Sequence, residues 1–296
     1  MKIATNNHPI NLNFKSLSYN HVQYIDSKGI QRTTQNSTGM RKDLDYDELA
    51  TLIKQRFPDS KKIRIMPMNV SDGTEAYLIA NSILKIFGKE KAKEKIFPIH
   101  ASDISSYIID NFGKRGVVAL TDDEKQLFGK NFDKFFKETS FDKLPKENYP
   151  KDAKAYELTP EFKKYFNFYS TDFQKRLNLL CDEGNSVVII RNCLAQSFKF
   201  YELPNIIFPL GDRLKQGSLF VIGDYDRKNS SLLEFLDSDF KEVGMNIFGL
   251  KNYTPTETST SQKNLKKDTF EQEHVIKSSQ ISILTKINNF IKGIFK

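Results

Sequence analysis

The stretch Met66 to Ala80, reading MPMNVSDGTEAYLIA, decides the fold. Residues Lys61 to Met68 read as a strand, and Thr74 to Phe87 read as a helix. Between them lie Ser71, Asp72 and Gly73, the residue types that turn a chain and cap a helix. Gly73 permits a tight turn and a close approach to the backbone, though alone it does not separate a ligand-binding turn from an ordinary loop. The segment has no G-x-G-x-x-G, which disfavours a dinucleotide pyrophosphate site.

Outward from this unit the strand and helix patterns alternate. A second strand is predicted over Lys95 to Ala101, followed by helical Ile104 to Phe112. Asp122 to Thr139 reads as a helix or helix pair, and Tyr156 to Leu158 and Phe166 to Tyr169 as short strands. Val187 to Ile190 is four β-branched residues in a row, which suits a strand covered on both faces. Leu203 to Leu214 is helical with a kink expected at Pro209, Phe220 to Ile222 is a buried strand, and Val243 to Leu250 an antiparallel edge strand. Upstream, Leu44, Leu49, Leu52 and Ile53 mark a helix from Asp43. His21 to Asp26 and Ile30 to Thr34 flank Ser27-Lys28-Gly29 as a hairpin. The alternation predicts an α/β fold: a Rossmann-like, doubly wound, mostly parallel sheet.

The bulk numbers set limits on partners. With 296 residues, 39% hydrophobic and 28% charged, the chain can bury one large core. It has no run of the roughly eighteen apolar residues that a membrane span requires. The polar start, Met1 to Ile10, has no secretory h-region, so a cytoplasmic protein is expected. Cys181 and Cys193 read as reduced thiols. His8, His21, His100 and His274 show no ligand spacing, so no metal site is expected. Half of the net +8 charge lies in residues 251–296, which hold eight lysines against four acids. The rest lacks basic stripes, so no nucleic-acid partner is expected.

Residues 251–272 read as a polar linker. Beyond them Ile283, Ile287, Ile291 and Ile294 form one face of an amphipathic helix within 273–296, with Leu284 and Phe290 alongside. That helix is expected to dock on its own domain or on a partner; a third course, lying on an anionic membrane surface, is disfavoured by its short stripe. A domain of 41–250 would then carry an extension of 1–40 at one end and linker and helix at the other.

Asp103 follows the second strand directly. An acid there either caps the next helix or accepts hydrogen bonds from the two hydroxyls of a ribose.

Specificity comes from the order of six stretches: STGMRKD (Ser37 to Asp43), SDGTEAY, ASDIS, FNFYSTDF, VVIIRNCLAQSF and LKQGSLFVIGDYD. In this order they resemble the signatures of the CheR-type chemotaxis receptor methyltransferases: T-x-F-F-R, S-T-G-E-E-P-Y, A-T-D-I, V-x-F-x-x-x-N-L, C-R-N-V-x-I-Y-F and L-K-P-G-G-x-L-x-x-G-x-S-E. The resemblance runs from about Ser37 to Asp226. It implies a class I methyltransferase sheet, S-adenosylmethionine as cofactor, and O-methylation of a glutamate in a protein substrate such as a chemoreceptor-like protein.

Position by position, the resemblance places Ser37 and Arg41 in the first motif, with Arg41 near the transferable methyl. Glu75 falls on the acid that meets the amino-acid end of the cofactor, and Asp103 on the ribose-binding acid. Asp172 replaces an asparagine near the adenine, followed by Phe173. Arg191 and Asn192 fall on the pair that shapes the floor of the site. Gln196 stands where the family has a tyrosine close to the sulfonium, so Arg41 and Gln196 are the catalytic candidates. Gly39 and Met40 replace paired phenylalanines, and Thr74 replaces a glutamate. The residues ahead of Arg41 do not read as the helical domain that engages receptors in the family. A second reading therefore stands beside the enzyme: a descendant that keeps the fold as a binding or regulatory module. An RNA or small-molecule methyltransferase would fit the fold but not the motif order.

Overall fold

The computed structural model describes residues 22–25, 31–34, 43–60, 62–145, 149–171, 185–197, 203–214 and 217–251. The expected linker and C-terminal helix lie outside them. Strands β1 (Val22–Ile25) and β2 (Gln31–Thr34) pair antiparallel with Val22 opposite Thr34, as the hairpin reading expects.

Helix α1 (Tyr46–Arg56) begins at Asp45, whose carboxylate accepts the amides of Asp47 and Glu48. It buries Leu49, Ala50 and Ile53. Strand β3 (Arg64–Met68) leads into α2 (Thr74–Phe87), which Gly88 ends before the short α3 (Lys89–Lys95). Next come β4 (Ile99–Asp103), β5 (Val117–Leu120), β6 (Phe136–Glu138), β7 (Lys154–Leu158), β8 (Phe166–Ser170) and β9 (Ser186–Ile190). Three more strands, β10 (Leu219–Val221), β11 (Phe240–Gly244) and β12 (Ile247–Leu250), complete the set.

Seven strands form one sheet in the order β11-β12-β10-β9-β3-β4-β8. Strands β8, β4, β3, β9 and β10 are mutually parallel, and β12 runs antiparallel to both of its neighbours. This is the Rossmann-like, doubly wound, mostly parallel sheet that the sequence predicts. The order reverses at β3, where β9 lies on one side and β4 on the other, and a ligand crevice opens at such a switch point.

Side-chain alternation along β9 divides the core. Val187 and Ile189 join the cluster beneath α1 and α2, whereas Val188 and Ile190 join Ile206, Ile207, Leu232 and Phe235 on the opposite face. Val187 to Ile190 are all fully buried, as four β-branched residues in a doubly covered strand should be.

Several elements differ from the sequence reading. The second strand starts at Ile99 rather than Lys95, because Pro98 has no amide to give a ladder and α3 holds Lys89 to Lys95. The stretch Asp122 to Thr139 is not wholly helical. Short helices at Asp122–Gln126 and Phe132–Phe135 give way to β6. The apolar spacing of Phe128, Phe132 and Phe135 hides that change, since Phe136 buries equally well from either backbone. Strand β5 is an addition, and β5, β7 and β6 form a separate antiparallel sheet in that order. Val243 to Leu250 is not one edge strand. Gly244, Met245 and Asn246 (φ 62°) turn the chain, so β11 takes the edge and β12 the antiparallel place beside β10. No helix among the described residues is long and apolar enough to cross a membrane.

Candidate functional site

The loop leaving β3 is held in an unusual conformation. Asn69 (φ 58°), Ser71 (φ 50°) and Gly73 (φ 90°) are all left-handed within five residues. For the two non-glycines that conformation is costly unless surrounding contacts impose it. Here the Val70 amide donates to the Ser102 carbonyl at 3.2 Å, and the Ser71 amide donates to Asp103 Oδ2 at 3.1 Å. Asp72 Oδ1 accepts the Thr74 amide at 3.0 Å, opening α2.

Gly73 has no room for a side chain. A Cβ there would lie 2.9 Å from Tyr77 Oη and 3.2 Å from the Phe168 ring, on a backbone that L residues avoid. Gly73→Ala should therefore lower unfolding free energy by about 1–3 kcal/mol in urea titration, and an unchanged midpoint would show that the loop is not rigid.

Asp103 ends β4 and joins two loops, with Oδ2 on the Ser71 amide and Oδ1 on the Ser105 amide at 3.0 Å. The cap of the following helical turn falls instead to Ser105, whose Oγ accepts the Ile108 amide. Burial raises the Asp103 carboxyl above its ordinary range, against the lowering effect of the Ser105, Ser71 and Ile104 amides. These three amides leave lone-pair capacity on the carboxylate for an incoming hydroxyl. Beside it, Ile104 and Tyr107 are exposed large apolar residues, which the sequence reading does not single out.

The centre of the site is Arg191, immediately after β9. Its side chain is 2% exposed. Nη1 donates to Glu75 Oε1 and, at 2.8 Å, to the Tyr46 hydroxyl, while Nη2 donates to Asp43 Oδ1. Burial opposes its charge, but Glu75, Tyr46 and Asp43 outweigh burial and raise its pKa. Asp43 is the counterpart. Burial pushes its carboxyl up, yet Arg191, the Asp224 amide and Asn192 outweigh that and hold it below the usual range.

Asn192 (φ 54°) spends its amide on both sides of this turn. Nδ2 donates to Asp43 Oδ2 at 3.1 Å, and Oδ1 accepts the Tyr225 amide at 2.7 Å. Its side chain packs so closely on Gly223 that a Cβ at that position would lie 2.3 Å away. The Asp224 amide also reaches Asp43 Oδ2, at 2.9 Å. Asn246, wholly buried in the β11–β12 turn, donates to the Asp43 carbonyl at 2.7 Å and to Asp224 Oδ1 at 2.8 Å.

Glu75, Arg191 and Asn192 are thus brought into one network, and Asp103 joins it through the 69–73 loop. Ser37, Arg41, Asp172 and Phe173 lie outside the described residues. Gln196 belongs to the short helix Leu194–Ser197, and its side chain is likewise outside the description. Sequence reasoning gives no role to Asp43, Tyr46, Asp224 or Asn246, and none to Asp226. Asp226 is fully buried and accepts the Ala195 amide at 2.9 Å, bracing the Arg191–Asn192 turn from behind. Asp43 and Asp226 close the first and last of the six ordered stretches, which is the signal that could have found them.

No family model matches the chain, and no curated protein does. Twenty-nine solved chains are similar to it, three of them as follows. The precorrin-6y C5,15-methyltransferase of Geobacter metallireducens is 11% identical with a TM-score of 0.35, over 69% of this chain and 78% of that one. An O-methyltransferase family protein of Burkholderia thailandensis is 9% identical with a TM-score of 0.34, over 70% and 56%. MNMC2 of Aquifex aeolicus is 13% identical with a TM-score of 0.38, over 80% and 73%. Likenesses of this size leave the assignment of a function to the chain's own geometry.

Proposed function

We propose that the chain binds S-adenosylmethionine and transfers its methyl group to a glutamate carboxylate of a protein partner. The supporting observation is the placement of Glu75, Asp103 and the Arg191–Asn192 turn beyond the carboxyl ends of the adjacent strands β3, β4 and β9. Three separate stretches of sequence supply them, at the end of a doubly wound sheet where ligands bind. The residues suit this cofactor. Asp103 keeps lone-pair capacity for a ribose hydroxyl, and Ile104 offers apolar surface next to it for a base. Glu75 is 17% exposed, more open than Asp43 or Arg191, which favours it as the acid for the cofactor's ammonium.

When bound, the cofactor supplies a methyl carbon made electrophilic by its sulfonium. A glutamate, whose ordinary pKa is about 4.3, is already ionised at neutral pH and needs no general base. The protein's task is positioning. Arg41 is assigned to the acceptor carboxylate, where a guanidinium can grip both oxygens. Gln196 is assigned to the neighbourhood of the sulfonium.

The test has two stages. Calorimetry with S-adenosylmethionine and its demethylated product, S-adenosylhomocysteine, should give saturable binding, and absence of heat at high ligand concentration would refute the reading. Radiolabelled methyl should then pass to acidic protein substrates and be released as methanol by mild alkali, because esters hydrolyse there and N-methyl groups do not. The enclosure of Arg191 and the engagement of the Asn192 amide at both ends favour a second reading, a binding module with the fold retained. Binding without any methyl transfer would select it.

A further inference from the structure

We infer that Asp43 is a positioning residue that sets the charge of the cofactor site, leaving Glu75 with negative charge to offer a ligand's ammonium. The inference rests on the proposed cofactor reading and adds a residue to which that reading gives no role.

Arg191 is held between two carboxylates, Glu75 through Nη1 and Asp43 through Nη2. One cation shared by two anions leaves the trio with a net charge of −1. Exposure decides where that charge is felt: the side chain of Arg191 is 2% exposed, that of Asp43 10% and that of Glu75 17%. The excess is therefore presented to solvent, or to a ligand, at Glu75.

Hydrogen bonds decide which carboxylate is committed to the interior. Asp43 Oδ1 takes Arg191, while Oδ2 takes the Asn192 side chain and the Asp224 amide. The Asn246 side chain holds the Asp43 carbonyl. Such a carboxylate cannot swing toward a ligand without leaving several buried donors unmade. Glu75 has no comparable cage among the described residues: Arg191 donates to its Oε1 from one side only. Were Asp43 neutral, Glu75 would be the sole counterion of a buried guanidinium, and the attraction available to an ammonium would be cancelled.

The test compares ligands that differ at that end. S-adenosylhomocysteine carries the ammonium and carboxylate, and 5′-methylthioadenosine carries neither but keeps the adenosine. By calorimetry on the full chain, Asp43→Asn should weaken S-adenosylhomocysteine at least tenfold and leave 5′-methylthioadenosine within twofold. Equal weakening of both would make Asp43 merely structural, and no change in either would show that its charge is not felt at the ligand. If the wild-type chain binds neither ligand, the cofactor reading itself fails, which is a distinct result. Should Asp43→Asn not fold, the ligand can be altered instead. N-acetyl-S-adenosylhomocysteine, stripped of its ammonium, should bind the wild-type chain at least tenfold more weakly than the parent. Equal affinity would overturn the inference.

Discussion

Arg191→Ala should be among the most destabilising single substitutions in this chain, lowering unfolding free energy by about 3–5 kcal/mol. The reason is less the loss of attraction than what remains behind. Asp43 and Glu75 would face each other in a largely enclosed space without their cation, and the Tyr46 hydroxyl would lose its donor. Urea unfolding read by circular dichroism measures the change. A loss below about 1 kcal/mol would place the pair among surface ion pairs, contrary to its burial. The same network sets an acid limit. Because the folded state holds Asp43 below its ordinary pKa, its contribution is present above the unfolded carboxylate range and is lost as pH falls through the depressed value.

Asp103→Ala should weaken cofactor binding at least tenfold and also lower the melting temperature. Two backbone donors, on Ser71 and Ser105, would lose their acceptor, and each unmet buried amide costs about 1–3 kcal/mol. For the ligand, losing a charged acceptor costs about 1.5–3 kcal/mol per hydrogen bond, roughly a ten- to hundredfold fall in affinity. Asp103→Asn keeps one carbonyl oxygen and should recover part of the stability but not the affinity. Retained binding in both variants would remove Asp103 from the site. Since burial raises this carboxyl, affinity should begin to fall on acidification at a higher pH than an ordinary aspartate would give.

How legible each feature is in the sequence depends on how local it is. Val187 to Ile190 declares a doubly covered strand by composition alone, and Ser71-Asp72-Gly73 declares a turn into a helix. Asp103 is legible because its position, the end of the second strand, carries meaning in this kind of sheet. The early start expected for β4 comes from counting apolar residues across Pro98, and β5 escapes notice as a strand of only four residues, Val117 to Leu120. Asp43 is harder. Its significance depends on partners at 191, 192, 224 and 246, none of which its neighbours announce. Tyr46 looks like one more helix residue until Arg191 is laid beside it.

The long reach of these contacts has a consequence for how the protein is made. Asp43 is joined to Arg191 across 148 residues and to Asn246 across 203. Closing loops of that length must wait for the chain between them, and contacts so distant in sequence form slowly. A nascent chain that has just exposed β3 and α2 already contains Asp43 and Glu75 but has no arginine to reconcile them. The polar centre can be completed only after the β11–β12 hairpin has left the ribosome. Synthesis of nearly the whole sheet must therefore precede any site able to hold a ligand, so a chain cut short before Arg191 would leave two acids unpaired where the finished protein joins them on one buried cation.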